Sequence, residues 1–258
     1  MKNLCLLLAL FFVSCQTKTT QWETFQLDDN LSQWHIYQDN GSKNGWRVEN
    51  DILIFDKLSG LESGEEDASL LSNKQYTSFE ITFDWKIENG GNSGFMWGVQ
   101  EDDFYKYPYQ TGPEIQIIDT QAYDAPEEIQ GGEIEYNNIV SDLVQKKHYL
   151  GALYGLFPPN NQTKPNAAGE WNNYHIKIDH KTNKGWVKLN NILINEFPLS
   201  GELWDERVSM SKFSKSEEYP DLGERRWYDF GKFKTGHICL QDHPGKAYYK
   251  NIKIKELN

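Results

Sequence analysis

Apolar and polar side chains alternate along much of this chain. Residues 79–87 alternate over nine positions, which is the period of a strand with one buried face. The turn residues of 89–94 interrupt that strand, and an extended pattern resumes at 95–99. Residues 174–178 alternate in the same way. The pattern therefore predicts several antiparallel strands, each with one face toward a core.

A tight hairpin is predicted in the second half of the chain. Two extended runs, 186–189 and 192–194, flank Asn190 and Asn191. Asparagine tolerates the positive φ angles that a two-residue hairpin turn requires. The two runs are therefore expected to pair as neighbouring strands.

Helices contribute little to the pattern, and short helical turns are expected only near residues 141–147 and 203–208. Strands that alternate in this way bury their apolar faces when two sheets stack. We therefore predict an all-β fold, a two-sheet antiparallel sandwich of jelly-roll type. A concave sheet face in such a sandwich forms a natural groove.

The segment Gly112–Asp119 carries polar groups in a strand that is otherwise apolar. Glu114 and Gln116 are two residues apart, so their side chains leave the same face of the strand. Burial of a carboxylate and an amide without partners costs several kcal/mol. Two interpretations follow. Either these side chains line a cleft, or the strand lies at a sheet edge with one solvated face.

The first residues are typical of a bacterial lipoprotein signal. A basic start precedes the apolar run 4–13, which is too short to span a bilayer as a mature helix. Ser14 and Cys15 resemble a lipoprotein cleavage site, at which Cys15 becomes the lipidated first residue. Residues 1–14 are thus predicted as signal peptide and 15–21 as tether, with an ordinary secretory signal as the alternative. The tether lacks an acidic run, which favours a lipid-anchored envelope protein that faces the periplasm.

Composition limits the classes of function. Residues 22–258 suit a single β domain, and the formal net charge of −12 argues against a nucleic-acid partner. Without the signal and the lipidated cysteine, the domain retains Cys239 alone, so no disulfide framework is expected. Aromatic residues make up 14% of the chain. Their amphipathic rings serve a core and also stack on sugars, which is compatible with a carbohydrate partner.

Eight short blocks follow one another in an informative order. They are Trp46–Asn50, Ser78–Glu80, Gly91–Gly94, Gly112–Gln116, Gly151–Leu156, Gly169–Asn172, Ser211–Phe213 and Gly236–His243. This order resembles the bacterial family named for 3-keto-disaccharide hydrolase activity, from about residue 22 to the C-terminus. The resemblance implies a concanavalin A-like lectin/glucanase fold. Departures from the family pattern at Trp97, Tyr123, Val187 and Asn191 leave the substrate preference open.

The resemblance implies elimination chemistry on an oxidised glycoside or disaccharide. A ketone at sugar C3 acidifies the proton on C2, so that a base can remove it and the C1 substituent can leave; addition of water then gives net hydrolysis. His243 follows a strand end and is the candidate base, with Asp242 to orient it, and Glu114 is the candidate acid. Structural roles are the alternatives, in which His243 ties down a turn and Glu114 pairs with Lys212 or Arg47.

A further set of side chains is expected to bind the sugar. Amides and a lysine can donate hydrogen bonds to sugar hydroxyls or to the enolate oxygen. The predicted substrate-binding residues are Asn92, Ser93, Trp97, Gln116, Asp119, Tyr154, Lys212 and Gln241. No cofactor is expected. A metal held by His237, Gln241, His243 and Glu114 is an alternative, although no close metal-ligand spacing of known type is present.

Two other functions remain open at this stage. The spacing of Glu114, Gln116 and Asp119 is similar to the catalytic strand of laminarinase-type glycosidases, in which two carboxylates act together. Asp119 nevertheless falls on the opposite face from Glu114 unless a bulge intervenes. A sugar-binding module without catalysis is the other alternative, because lectins and hydrolases share this sandwich. Cys239 is interpreted as a small buried hydrophobe rather than a nucleophile, and the oligomeric state is left open.

Overall fold

The computed structural model describes residues 21–38, 45–56, 69–120, 146–243 and 245–257. The predicted signal peptide, the lipidation site Cys15 and most of the tether lie outside these ranges. Tyr123 and most of the helical turn predicted near 141–147 also lie outside them. Within the described ranges, no helix is long and apolar enough to cross a membrane.

Strands make up most of the regular structure in the described residues. In chain order they are β1 (Glu23–Thr24), β2 (Trp34–Ile36), β3 (Trp46–Glu49), β4 (Ile52–Asp56), β5 (Leu70–Tyr76), β6 (Phe79–Ile87), β7 (Asn92–Val99), β8 (Glu114–Ile118), β9 (Asn172–Asp179), β10 (Lys184–Leu189), β11 (Ile192–Phe197), β12 (Gly236–Leu240) and β13 (Lys246–Glu256). Helix α1 (Glu202–Ser209) lies where the sequence predicted a helical turn. Short 3-10 helices occupy Pro108–Gln110, Lys212–Ser214, Ser216–Glu218 and Pro220–Leu222.

The strands form two antiparallel sheets. The larger sheet has eight strands in the order β11-β10-β9-β6-β13-β4-β3, and β1 pairs with β13. The smaller sheet has five strands in the order β2-β5-β12-β7-β8. Many neighbours are far apart in the sequence, such as β6 and β13, which is the pairing expected of a jelly-roll sandwich. The predicted fold class is confirmed.

Aromatic side chains from facing strands fill the space between the sheets. The ring of Phe83 on β6 lies 5.7 Å from that of Phe95 on β7 and 6.0 Å from that of Tyr249 on β13. All three side chains are fully buried. Burial of each large side chain contributes about 1.5–3 kcal/mol of stability. Along β6, buried and half-buried positions alternate strictly, which confirms the pattern predicted for residues 79–87.

The hairpin between β10 and β11 turns at Asn190 and Asn191. Their φ angles are 48° and 69°, and Leu189 pairs with Ile192 across the turn. Two central residues with positive φ define a type I′ turn, so the predicted hairpin is confirmed. The side chain of Asn190 also accepts a hydrogen bond from the backbone N–H of Asn173 at 2.8 Å, which ties the turn to β9.

The five-stranded sheet presents two different faces. Ile115 and Ile117 on β8 belong to the main core, so Glu114 and Gln116, at the alternate positions, project from the outer face. A second apolar cluster covers part of this outer face; it consists of Tyr37, Leu71, Met96, Val99 and Cys239. The candidate site occupies another part of the same face.

Candidate active site

A cavity of about 360 Å³ opens over the outer face of the five-stranded sheet. It is lined by Asn92, Tyr109, Gly112, Glu114, Gln116, Tyr154, Lys212, Phe213, Tyr219, Asp221, Leu222, Trp227, Phe230, Gln241 and His243. The cavity has the size of a small-molecule site. We call the strand side of it the cavity floor (Asn92, Glu114, Gln116, Gln241 and His243). All five floor residues were predicted from the sequence, and the predicted base and acid lie in the same cavity.

Glu114 is the buried carboxyl group of the floor. It is 9% exposed, and its Oε1 atom has no hydrogen-bond partner among the described residues. Burial raises the pKa of Glu114 to about 7, against the opposing effect of the Lys212 ammonium. A carboxyl group with this pKa is partly protonated at neutral pH, so it can donate a proton.

Gly94 on β7 makes room for that carboxyl group. A Cβ atom at this position would lie 1.9 Å from Oε1 and 2.6 Å from Cδ of Glu114, which is far inside van der Waals contact. The Glu114 carboxyl group therefore packs directly against the backbone of residue 94. Only glycine, which has no Cβ atom, allows this close approach. Sequence reasoning placed Gly94 in a family block but did not predict this role.

The floor polar groups are only partly satisfied by the protein. Gln116 is 4% exposed, and its Oε1 accepts the backbone N–H of Ile117 at 3.1 Å. The Oδ1 atom of Asn92 is buried and has no hydrogen-bond partner in the described part of the chain. Buried polar groups are usually hydrogen-bonded. The floor is therefore suited to a polar ligand that supplies donors and acceptors.

Residues 151–157 extend the small sheet beyond β8 and place Tyr154 beside the floor. The backbone N–H of Tyr154 donates to the carbonyl of Glu114 at 2.9 Å. Asn195 holds the segment from the other side, because its amide donates to the carbonyl of Phe157 at 3.0 Å. Burial, with a smaller effect of Glu114, raises the pKa of Tyr154 to about 12. The phenol is thus protonated at neutral pH and available as a donor.

The Lys212 ammonium enters the cavity between aromatic rings. Its Nζ lies 4.6 Å from the ring centre of Tyr154 and 5.5 Å from those of Phe213 and Trp227. Burial lowers the pKa of Lys212, although the Glu114 carboxylate opposes this effect. Among the described residues, the ammonium has no ion-pair partner within 4.0 Å. The alternative in which Glu114 and Lys212 form a close salt bridge is therefore not what the geometry shows.

An aromatic wall (Phe213, Tyr219, Trp227 and Phe230) lies in the irregular segment between α1 and β12. Phe213 and Phe230 stack with their ring centres 3.6 Å apart, and Trp227 lies 4.2 Å from Tyr219. Tyr219 is half-buried and the other three are buried. Such rings offer flat apolar surfaces to a ligand, and Tyr and Trp add polar edges.

Buried side chains from the region after β7 hold this wall in place. The amide of Gln110 donates to the carbonyls of Leu222 and Arg226 at 2.9 Å and 2.8 Å. The carbonyl of Thr111 accepts the N–H of Gly231 at 2.9 Å. An irregular segment has no strand ladder to satisfy its backbone groups, so it needs such partners.

Gln241 and His243 reach the cavity from the end of β12. The N–H of Gln241 donates to the carbonyl of Gly94 at 2.9 Å, which fixes the chain as it leaves the strand. Asp242 is not among the cavity-lining residues, and its Oδ1 accepts the Ser69 hydroxyl at 2.7 Å. The role of Asp242 in orienting His243 stays a prediction.

Two predicted binding residues on β7 project away from the cavity. The Ser93 hydroxyl donates to the carbonyl of Gln241 at 2.6 Å and contacts the Tyr249 hydroxyl at 2.6 Å, inside the sandwich. Trp97 is 3% exposed and stacks on Phe197. Alternation explains this result, because the positions next to cavity-facing residues face the core. The expectation that these two side chains contact substrate in this cavity is corrected.

Asp119 also lies outside this cavity. It lines a separate, smaller cavity, and its Oδ2 accepts the N–H of Gly90 at 2.9 Å. Asp119 comes three positions after the floor residue Gln116, directly after the end of β8, and an odd spacing places it on the other side of the sheet. The two carboxylates of the laminarinase-type alternative are therefore not brought together.

The set of residues considered for a metal does not converge. His237 shares the outer face of β12 with Cys239 and Gln241, because Ile238 and Leu240 point into the main core, but His237 is not among the residues that line the cavity. The Nδ1 atom of His237 contacts the carbonyl of Ser72 at 2.6 Å. Within the described ranges, no group of three or more His, Cys, Asp or Glu residues is placed to hold a metal ion. Cys239 is fully buried in the second apolar cluster.

Sequence reasoning missed most of the wall side of the cavity. The missed lining residues are Tyr109, Gly112, Phe213, Tyr219, Asp221, Leu222, Trp227 and Phe230. Aromatic residues without a helical or strand period carry no local signal that distinguishes a cavity wall from a core. Their density between residues 213 and 230, where no strand was predicted, is the signal that was available.

The family model of the 3-keto-alpha-glucoside-1,2-lyase-like domain matches residues 21–255. The chain belongs to this family. The resemblance indicated by the eight sequence blocks is therefore confirmed over almost the whole chain.

Individual relatives agree with the family. A 3-keto-disaccharide hydrolase from Bacteroides thetaiotaomicron is 28% identical over 236 residues, which cover 87% of this chain and 74% of that protein. A crystal structure from Parabacteroides distasonis, provisionally named a glycosyl hydrolase, matches with a TM-score of 0.72 and 29% identity over 91% of this chain and 92% of the other. A second crystal structure from the same organism, with the same provisional name, matches with a TM-score of 0.59 and 22% identity over 92% of this chain and 100% of the other. At this identity the match supports the fold alone. The family and its relatives indicate an enzyme of glycoside-hydrolase type.

Proposed function

We propose that this enzyme cleaves 3-keto glycosides or disaccharides in the cavity, by removal of the C2 proton and elimination of the C1 substituent. The observation that carries the proposal is that His243 and Glu114 line one cavity. The raised pKa of Glu114, about 7, suits a proton donor at neutral pH. The named activity of the Bacteroides thetaiotaomicron relative supports the same class of substrate.

The proposed reaction assigns one task to each group. The imidazole of His243 removes the proton from C2, which the neighbouring ketone acidifies. Electron density moves to the C3 oxygen, where Lys212 and the amide of Gln116 stabilise the negative charge. The carboxyl group of Glu114 protonates the oxygen that leaves C1. Water then adds to the unsaturated product, so the net result is hydrolysis.

A pair of substrates tests the proposal. A 3-keto glucoside and the same glucoside without the ketone differ only in the acidity of the C2 proton. We expect release of the C1 substituent from the keto glycoside alone, because the unoxidised sugar offers no comparable proton. The released alcohol, measured by chromatography, gives both rates. Equal rates for the two glycosides would contradict the elimination, and binding of both without turnover would indicate a sugar-binding module.

We also propose that the enzyme is a lipoprotein anchored in the cell envelope through Cys15, with the catalytic domain in the periplasm. The proposal is based on the apolar run and the Ser14-Cys15 sequence that follows it. A Cys15→Ala variant should move from the membrane fraction to the soluble periplasmic fraction, as measured by fractionation and immunoblot. Unchanged membrane association would contradict the lipid anchor.

A further inference from the structure

We infer that Lys212 forms a Schiff base with the C3 ketone of the substrate, and that the reaction proceeds through this iminium. The inference rests on the proposed function, because it requires a substrate that carries a ketone. It gives Lys212 a covalent role in place of the electrostatic role described above.

The position of the amine is the first argument. Lys212 lines the cavity together with Glu114 and His243, so its Nζ shares the space into which the reacting sugar must fit. The flanking rings of Tyr154 and Trp227, with centres at 4.6 Å and 5.5 Å, form an apolar collar around it. A lysine amine that is desolvated by apolar surroundings is the usual form of a Schiff-base nucleophile.

The second argument is that, in the described residues, no carboxylate forms an ion pair with Lys212. Lys215, one turn further along, lies 3.7 Å from the Glu218 carboxylate and is exposed. Lys212 has no such partner within 4.0 Å in the described residues, and burial lowers its pKa. A residue that supplied only positive charge would gain from an ion pair or from the permanent charge of arginine. Desolvation among aromatic rings favours the amine over the ammonium, and this is the environment that Lys212 has.

The bond changes balance without an added reagent. The Lys212 ammonium first gives one proton to the C3 oxygen, the lone pair of the resulting amine bonds to C3, and the C3–O bond breaks as that oxygen leaves as water with a second proton from the nitrogen. His243 takes the C2 proton, whose electron pair forms the C2–C3 double bond while the iminium pair moves to nitrogen. The nitrogen pair then returns, C1–C2 becomes double, and the C1–O pair leaves with a proton from Glu114. Hydrolysis of the remaining iminium restores the ketone and Lys212.

A trapping experiment tests the covalent step directly. The probe is a 1,5-anhydro-3-keto sugar, which has the ketone and the C2 proton but no leaving group at C1. The whole protein is incubated with the probe and sodium cyanoborohydride, which reduces an iminium to a stable amine. We expect one added sugar per chain in the intact mass, and peptide mapping should locate it on Lys212.

Two lysine variants provide the comparison. Lys212→Arg keeps the positive charge but cannot form the iminium, so it should lose trapping and lower kcat on 3-keto glycosides by about 10³-fold or more. Lys215→Arg, the matched control outside the cavity, should trap and turn over like the wild type. Circular dichroism and the melting temperature establish that each variant is folded.

The outcomes separate this inference from the proposed function. Modification of Lys212 supports the inference. Absence of modification on Lys212, or turnover by Lys212→Arg within about tenfold of wild type, overturns it. If wild type still cleaves the 3-keto glycoside in those cases, the proposed function stands and Lys212 acts through its charge. Failure of the wild type to cleave any 3-keto glycoside contradicts the proposed function itself.

Discussion

The cavity floor and the aromatic wall are built in different ways. Three floor side chains, Asn92, Glu114 and Gln116, project from β7 and β8, where sheet hydrogen bonds fix their directions, and Gln241 and His243 directly follow β12. The wall side chains come from an irregular segment that is held by ring packing and by the buried amide of Gln110. A strand scaffold holds reacting groups more precisely than a loop does. The difference places the acid Glu114 on a strand and the base His243 just after a strand end, with an apolar contact surface on the other side.

This division leads to distinct expectations for the two sides. Changes on the floor should alter kcat, because the floor holds the groups proposed to move protons. Changes on the wall should alter KM, because rings that contact the substrate equally before and during reaction contribute uniform binding. Lys212 belongs to both sides, since it lies on the wall segment but extends among the floor groups. The following experiments test whether the division holds.

The largest effect is expected from the proton-transfer groups. His243→Ala should lower kcat by roughly 10²–10⁴-fold, the usual contribution of a general base. Glu114→Gln should also lower kcat, but less for a nitrophenyl 3-keto glycoside, whose leaving group needs no proton. Steady-state kinetics on an alkyl and a nitrophenyl substrate measure both effects. A loss of stability in His243→Ala without loss of kcat per folded molecule would show that this histidine only ties down its turn.

The second effect concerns stability and pH. Burial raises the pKa of Glu114 to about 7 in the folded protein, whereas an unfolded glutamate titrates near about 4.3. Below about pH 4 the carboxyl group is protonated in the folded and in the unfolded protein, so its ionisation does not change the free energy of unfolding. Above about pH 7 it is ionised in both states, and the wild type has lost about 3 kcal/mol of unfolding free energy.

Glu114→Gln removes this loss, because the amide does not ionise. Relative to wild type, the variant should gain stability between pH 4 and pH 8, as measured by urea unfolding at a series of pH values. Glu224→Gln, at an exposed position, is the control. Its curve of unfolding free energy against pH should run parallel to that of the wild type. Parallel curves for Glu114→Gln would mean that the Glu114 carboxyl group is solvated.

The difference between the cavity floor and the aromatic wall also explains how much of the site could be predicted from the sequence. The period of two in residues 114–118 placed Glu114 and Gln116 on one face, and the structure brings both into the cavity. The same period on β7, applied to Ser93 and Trp97, would have excluded them from that face. The wall residues follow no helical or strand periodicity in the sequence. Their segment is held by a hydrogen bond from Gln110 to Leu222, more than a hundred positions away in the sequence. Such long-range packing has no local sequence signal.

A smaller effect is expected from the glycine below the carboxyl group. Gly94→Ala places a Cβ where the Glu114 carboxylate lies, so the acid should shift and kcat should fall by about 10–100-fold. A shorter acid should relieve the clash, and the double variant Gly94→Ala with Glu114→Asp should be less impaired than the two losses combined predict. Steady-state kinetics of the four proteins form the cycle. Strictly additive losses would show that Gly94 does not position Glu114.

The smallest effect is expected on the wall, and Tyr219 is the informative position. It is half-buried, whereas Trp227 is 4% exposed, so replacement of Trp227 would also remove core packing. Tyr219→Leu keeps apolar volume but removes the ring, and loss of an aromatic contact costs about 0.5–1.5 kcal/mol. KM for 3-keto glycosides should therefore rise about two- to tenfold with kcat unchanged. Phe104→Leu, an exposed residue outside the cavity, is the control and should leave both constants unchanged. A fall in kcat at constant KM in Tyr219→Leu would break the division, because the wall would then act on the transition state rather than on binding.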